Sequence, residues 1–333
     1  MQHVSKKKLN IPLSILDLVM VNIDGSPAQS MKNSLDLAQH AELWGYKRYW
    51  LAEHHNIKGI ASTATSILIG YIASGTSTIR VGSGGVMLPN HSPLVIAEQF
   101  GTLESLYPRR IDLGLGRAPG TDRLTAMALR RNLNGLEDFP GSVNELLNYF
   151  DDSASDNKVR ATPGEGLDIP IWLLGSSLFS AKLAAVLGLP YAFASHFSPT
   201  YLDAAVKLYR EEFQPSKSLR EPYVIAAVNG VLADKDKEAK YLFTSIQLRA
   251  LSMIRGSQTP LLPPINDIND VCSKHEKYAL DQRLKYSFVG DSTTVKKDIE
   301  IFLNQIHLNE IMVVSHIYDH TARLRSYEIL SSL

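Results

Sequence analysis

The chain has 333 residues, 44% hydrophobic and 20% charged, which is enough apolar material for a large core. Its 34 Lys and Arg balance 34 Asp and Glu, so neither nucleic acid nor an anionic membrane is the expected partner. The single cysteine, Cys272, excludes an intramolecular disulfide, and no apolar run is long enough to cross a bilayer, so the reading is a soluble cytoplasmic protein.

The start, MQHVSKKKLN, is basic but leads into strand-like IPLSILDLVMV and carries no signal-peptide cleavage region. From there strand and helix alternate. LSILDLVMV is the first strand, and SMKNSLDLAQHAELWG is a helix closed near Gly45. YKRYWLAEHH is the second strand running into a loop, followed by the helix STATSILIGYIASGT. IRVGSGGVML is the third strand, yet Gly82, Gly84 and Gly85 sit in its middle. Glycine inside a strand marks a bulge or a close backbone approach. SPLVIAEQFGTLESLYP is a helix with Ser92 as N-cap and Pro93 at its first position. RRIDLGLG is the fourth strand, and the helical stretches TDRLTAMALRR and SVNELLNYFDD follow. SASDNKVRATPGEGLD reads as a polar surface loop. IPIWLLGSS, LPYAFASHF and YVIAAVNGVLA are strands five to seven, with helices LFSAKLAAVLG and TYLDAAVKLYREEF between them. Helical material, then the strand LNEIMVVSHIYD and a last helix, complete the chain.

Eight short apolar strands alternating with helices predict parallel βα units, and eight close naturally into a barrel. The expected fold is one (β/α)8 TIM barrel domain over residues 1–333, with an insertion between strands seven and eight. That insertion contains TPLLPPINDINDV and reads equally well as a mobile lid or a structural excursion.

In such a barrel the chemistry sits just past the strand ends. Glu53, His54 and His55 follow strand two, and Asn90 and His91 follow strand three. Arg117 follows strand four, Ser176, Ser177 and Ser180 follow strand five, His196 follows strand six, and His316 and Tyr318 end strand eight. His54 reads as functional, whereas His55 and His91 read at least as well as satisfied structural side chains. EHH alone is a poor metal site: zinc needs three or four convergent donors, and the helical HExxH pattern is missing. No metal is expected. Ser176 and Ser177 open a helix and alone read as N-caps; with Arg117 on the adjacent strand, a phosphate clamp is the better reading. The dinucleotide fingerprint GxGxxG after the first strand is absent.

WLAEHH, RVGSGGVMLP, RIDLGLGRAPG and WLLGSS, in this order, resemble the bacterial luciferase-like flavin monooxygenases over nearly the whole chain. GGVMLPNHSPLVIAEQFGTLE and GLPYAFASHF are similar to the alkanal-monooxygenase-like bacterial oxidoreductases in particular. The resemblance implies a (β/α)8 barrel that binds reduced FMN or, in some branches, a deazaflavin. It implies a non-prolyl cis peptide at Gly84–Gly85 behind the flavin ring, so that the ring would be what approaches the glycine-rich strand. It assigns His54 to proton handling during oxygen chemistry, which suits an imidazole titrating near ~6.5. It assigns Arg117 to the flavin phosphate, Ser176, Ser177 and Ser180 to the phosphate turn, and His196 to the substrate pocket. Light-emitting members carry glutamate where this chain has Ser176, so light emission is not implied. The implied reaction uses reduced FMN, O2 and a peroxyflavin to oxidise a small organic substrate, with a separate NAD(P)H:flavin reductase. A homodimer through the helices after the early strands is also implied. The alternatives are a deazaflavin-dependent hydride transferase and a non-catalytic flavin-binding protein.

Overall fold

The computed structural model describes residues 9–118, 121–130, 138–152 and 158–333. The basic start up to Lys8, Pro119 and Gly120 of the RAPG stretch, Arg131, and residues 153–157 of the polar loop lie outside the described residues.

The first half of the barrel is β1 (Leu13–Asp17), α1 (Pro27–Leu43), β2 (Arg48–Leu51), α2 (Thr65–Ser74), β3 (Arg80–Ser83), β4 (Val86–Met87), α3 (Pro93–Leu106) and β5 (Ile111–Gly116). Then come α4 (Arg123–Ala128), α5 (Phe139–Phe150), β6 (Ile171–Gly175), α6 (Leu178–Leu187), β7 (Tyr191–Phe193), α7 (Leu202–Glu212) and β8 (Val224–Leu232). The chain continues through α8 (Asp236–Ile254), α9 (Lys274–Arg283), β9 (Ser287–Gly290), α10 (Ser292–Gln305), β10 (Glu310–Val314) and α11 (His320–Ser331).

All strand pairings are parallel, and β10 closes the sheet by pairing with both β1 (Ile311↔Leu13) and β8 (Ile311↔Ala226). The result is a closed eight-stave barrel, the expected (β/α)8 fold. The predicted third strand is one stave in two pieces, β3 and β4, broken at Gly84–Gly85. β9 is no stave: it lies along the far half of β8, with Asn229↔Ser287 through Leu232↔Gly290. The sequence pattern gives only helical material here, because four residues between two helices carry too little pattern to stand out.

Local chemistry explains the helix starts. Ser26 caps α1 by accepting from Gln29 N at 3.2 Å, and Pro27 fills a position whose N–H would have no helical partner. Ser92 and Pro93 open α3 as predicted, although the Ser92 hydroxyl makes no capping bond. α6 ends at Gly188, whose φ of 62° is the left-handed conformation glycine tolerates best.

The sequence presents the strands as short and apolar. The staves themselves start with a charged layer. Arg48 Nη1 donates to Asp112 Oδ2 at 2.8 Å and Arg48 Nε to Glu310 Oε1 at 2.9 Å. Arg80 Nη2 and Trp50 Nε1 also donate to Asp112, at 2.6 and 3.0 Å, while Ser14 and Tyr223 donate to Glu310. Burial alone would raise the Asp112 carboxyl; Arg48 and Arg80 outweigh it and hold it below the usual range. This layer lies at the N-terminal end of the barrel, the end associated with stability, away from the mouth where the site is built.

Candidate functional site

Past β2, at the mouth end of its stave, come Glu53, His54 and His55. Glu53 and His55 turn toward each other. Glu53 is buried, and its Oε1 lies 2.8 Å from His55 Nε2 and 2.9 Å from His91 Nε2. Its Oε2 accepts from Met87 N at 3.1 Å. Burial would raise this carboxyl, but His91, His55 and the Met87 amide hold it below its ordinary value. Glu53, His55 and His91 thus converge within 4.8 Å, which EHH alone did not reveal because His91 arrives from 38 residues further on. The shared carboxylate clasps the end of β2 to β4 and fits the structural reading of both histidines.

The Gly84–Gly85 peptide is cis, at the position the resemblance indicated. What excludes side chains there is the barrel itself. A Cβ on Gly84 would lie 2.6 Å from Leu16 Cδ1, and one on Gly85 2.8 Å from Gly114 O. One on Gly82 would meet Asp112 O at 2.5 Å. The close approach that the glycines announce comes from β1 and β5, with no bound ring needed to explain it.

Across the mouth, Ser176 and Ser177 are half-buried at the start of α6. Ser177 is the N-cap residue, yet its hydroxyl makes no capping bond to its own helix. The Arg117 guanidinium stacks 4.3 Å from the centre of the Phe179 ring, which brings it to the first turn of α6. Ser180 behaves differently: it is buried, donates to Ser177 O at 3.0 Å and lies 3.3 Å from Tyr191 OH. It shapes the turn from inside. Gly175 makes room for it, since a Cβ there would lie 2.0 Å from Ser180 Oγ. Exposed N–H groups, two hydroxyls and a guanidinium form a donor set suited to a phosphate.

His54, His196 and His316 lie on the mouth side of the barrel, past the ends of β2, β7 and β10. The His196 Nδ1 and His316 Nδ1 atoms are both buried without a hydrogen-bond partner. His196 is held in place by its backbone, whose carbonyl accepts from Asn229 Nδ2 at 2.8 Å. Burial pushes its imidazole down to about 3, helped by His54 and Arg283. Burial, then Arg249, pushes His316 well below its ordinary value. A pocket lined by Met20, Asn22, Leu261, Ser315, His316 and Tyr318 opens beside it. Residue 261 roofs this side: Leu261 N donates to Val21 O and Ile23 N to Leu261 O, both at 2.9 Å. Arg249 and Arg283, from α8 and the end of α9, escaped sequence reasoning because nothing local marks them as facing the mouth.

Both imidazoles are neutral in the fold, while an unfolded histidine takes up its proton near ~6.5. Between there and about 3 the unfolded chain binds more protons, so stability rises with pH and is lost on acidification. We expect the urea midpoint to fall between pH 7 and 5, by up to about 1.4 kcal/mol per pH unit per histidine. The variant H316Q should flatten that slope; an unchanged slope would contradict the assignment.

A sequence profile of the luciferase-like monooxygenases matches residues 12–296. A luciferase-like monooxygenase of Escherichia coli (strain K12) is 52% identical over 320 residues, covering 96% of each chain. An N-acetyl-S-alkylcysteine monooxygenase of Bacillus subtilis (strain 168) is 41% identical over 189 residues, 55% of this chain and 57% of that one. The crystal structure of apo-MsnO8 superposes with a TM-score of 0.86 at 34% identity, over 96% of each chain. The closed barrel, the broken third stave and the polar mouth thus belong with a sequence match over most of the length, and the chain is a member of the luciferase-like monooxygenase family, an oxidoreductase.

Proposed function

We propose that this chain is an FMN-dependent monooxygenase: two electrons from reduced FMN let O2 place one oxygen atom on a small organic substrate and release the other as water. The observation that carries the reading is the donor set of Arg117, Ser176 and Ser177 at the α6 N-terminus, on the same mouth as His54 and His196. Reduced FMN supplies the electrons when bound; the chain supplies binding, orientation and dryness. Arg117 and the two serines hold the phosphate, and Ser180 shapes their turn. Gly84 and Gly85 form the wall on which the ring lies. His54 holds or moves a proton beside the reacting atoms, and His196, neutral and half-buried, lines the substrate space. The substrate named for the Bacillus subtilis relative makes a small thioether such as N-acetyl-S-methylcysteine the first compound to assay. A separate NAD(P)H:flavin reductase would deliver the reduced flavin.

A homodimer through α2 and α3 fits the exposed Ile67, Tyr71, Val95 and Leu106, and sedimentation velocity reads it directly.

The test is stopped-flow mixing of the anaerobic protein and reduced FMN with oxygenated buffer. A resolved slow phase of flavin reoxidation is expected, and Arg117→Ala should weaken FMN binding about 10-fold or more. Reoxidation as fast as that of free flavin, with and without the thioether, would count against the reading and favour a deazaflavin or a flavin-binding role.

A further inference from the structure

The chain between β8 and β10, bonded to the barrel mouth through Leu261 and Val21, carries two cations that the FMN reading leaves unused. Arg249, on α8, is mostly buried, and among the described residues it has neither a hydrogen-bond partner nor an acidic one. Arg283, at the end of α9, is also partly buried, and its hydrogen-bond partner is Met253 Sδ at 3.8 Å, a weak acceptor. Met253 lies one turn beyond Arg249 on α8, so the Arg283 bond to its sulfur brings both guanidiniums to the same stretch of that helix, and burial, then Arg283, pushes Arg249 down to about 10. Arg249 also acts on His316, and Arg283 on His196.

The nearby acids are engaged elsewhere. Asp17 is bonded to Arg323 at 2.8 Å, and Glu53 is shared by His55 and His91. The site therefore holds two uncompensated cations and two neutral imidazoles, one of them on a residue only 7% exposed, each with a buried unpartnered nitrogen. Buried charges are rarely left unpaired, so this arrangement calls for an anion from outside the chain. The flavin phosphate does not answer that need. Its proposed donors follow β5 and β6, whereas Arg249 and Arg283 belong to the β8–β10 segment, with β7 between.

We propose that Arg249 and Arg283 are the receptor for a carboxylate carried by the substrate, which is anchored there with its oxidisable end toward His54 and His196. Two planar guanidinium forks match a planar carboxylate. This proposal rests on the monooxygenase reading for where the substrate lies, but its test needs no turnover.

The experiment is isothermal titration calorimetry in the dark with N-acetyl-S-methylcysteine and with its methyl ester, on the protein alone and with oxidised FMN. FMN affinity is measured in parallel. The acid is expected to bind about 10- to 100-fold more tightly than the ester. R249Q and R283Q should each remove that preference and leave FMN affinity unchanged, while R249K should restore part of it. Equal binding of acid and ester, or no binding of either, would overturn the proposal and leave the FMN reading standing. So would a preference that survives in R249Q, equal binding of inorganic phosphate at the same arginines, or a loss of FMN affinity in R249Q. Absent FMN binding alongside a retained acid preference would sink the FMN reading alone.

Discussion

His54→Ala is expected to lower turnover by about 10²–10⁴-fold while leaving FMN affinity within a few-fold of the parent, the usual scale for a lost proton-transfer group. The argument is positional. Past β2, Glu53 and His55 join the clasp with His91, and His54 is not part of it. His54 can thus be removed without loosening the clasp. Its backbone N–H donates to Ser62 O at 3.0 Å, a bond that alanine keeps. Steady-state oxygenation with a reductase, together with FMN titration, separates the cases. Full activity in His54→Ala would end its catalytic assignment; equal losses of activity and FMN binding would recast it as a flavin contact.

The largest effect on stability is expected at the other end of the barrel. Arg48→Met should destabilise the fold by about 3–5 kcal/mol, the range for removing one partner of a buried ion pair. Arg48 bridges Asp112 and Glu310, both fully buried, and its guanidinium lies 4.6 Å from the centre of the Trp172 ring. Methionine matches the stem but leaves Glu310 with Ser14, Tyr223 and the half-exposed Lys47 as its partners, and Asp112 with Arg80 and Trp50. Replacing Arg48, Asp112 and Glu310 together by apolar residues should do less harm than Arg48→Met alone, since no charge is then stranded. Urea unfolding measures both; a loss below about 1 kcal/mol for Arg48→Met would show that the remaining partners suffice.

The staves and most helices were legible because their signals are local. Runs such as IDLGLG and IPIWLLG, bounded by Gly and Pro, announce buried strands, and Ser26–Pro27 and Ser92–Pro93 announce helix starts. The order of βα units then leaves a parallel barrel as the natural closure, with His54, Arg117, Ser176, Ser177 and His196 placed at its mouth by their position after strands. The same local logic failed at β9, where SFVG is too short to stand out. Nor does it reach the charged layer inside the barrel, because whether Arg48, Asp112 and Glu310 come together depends on three strands coming into register.

What the chain determined by itself is therefore the list of elements, their order and the residues carried at the strand ends. Those follow from periodicity and capping, which act over a few residues. The tertiary structure alone decided which residues meet: Glu53 with His91, Ser180 with Tyr191, and Arg283 with Met253, one turn from Arg249. It also decided that the glycines of the third stave are required by Leu16, Asp112 and Gly114. These contacts join residues from different elements, and burial, which sets their charge, exists only once the barrel has closed.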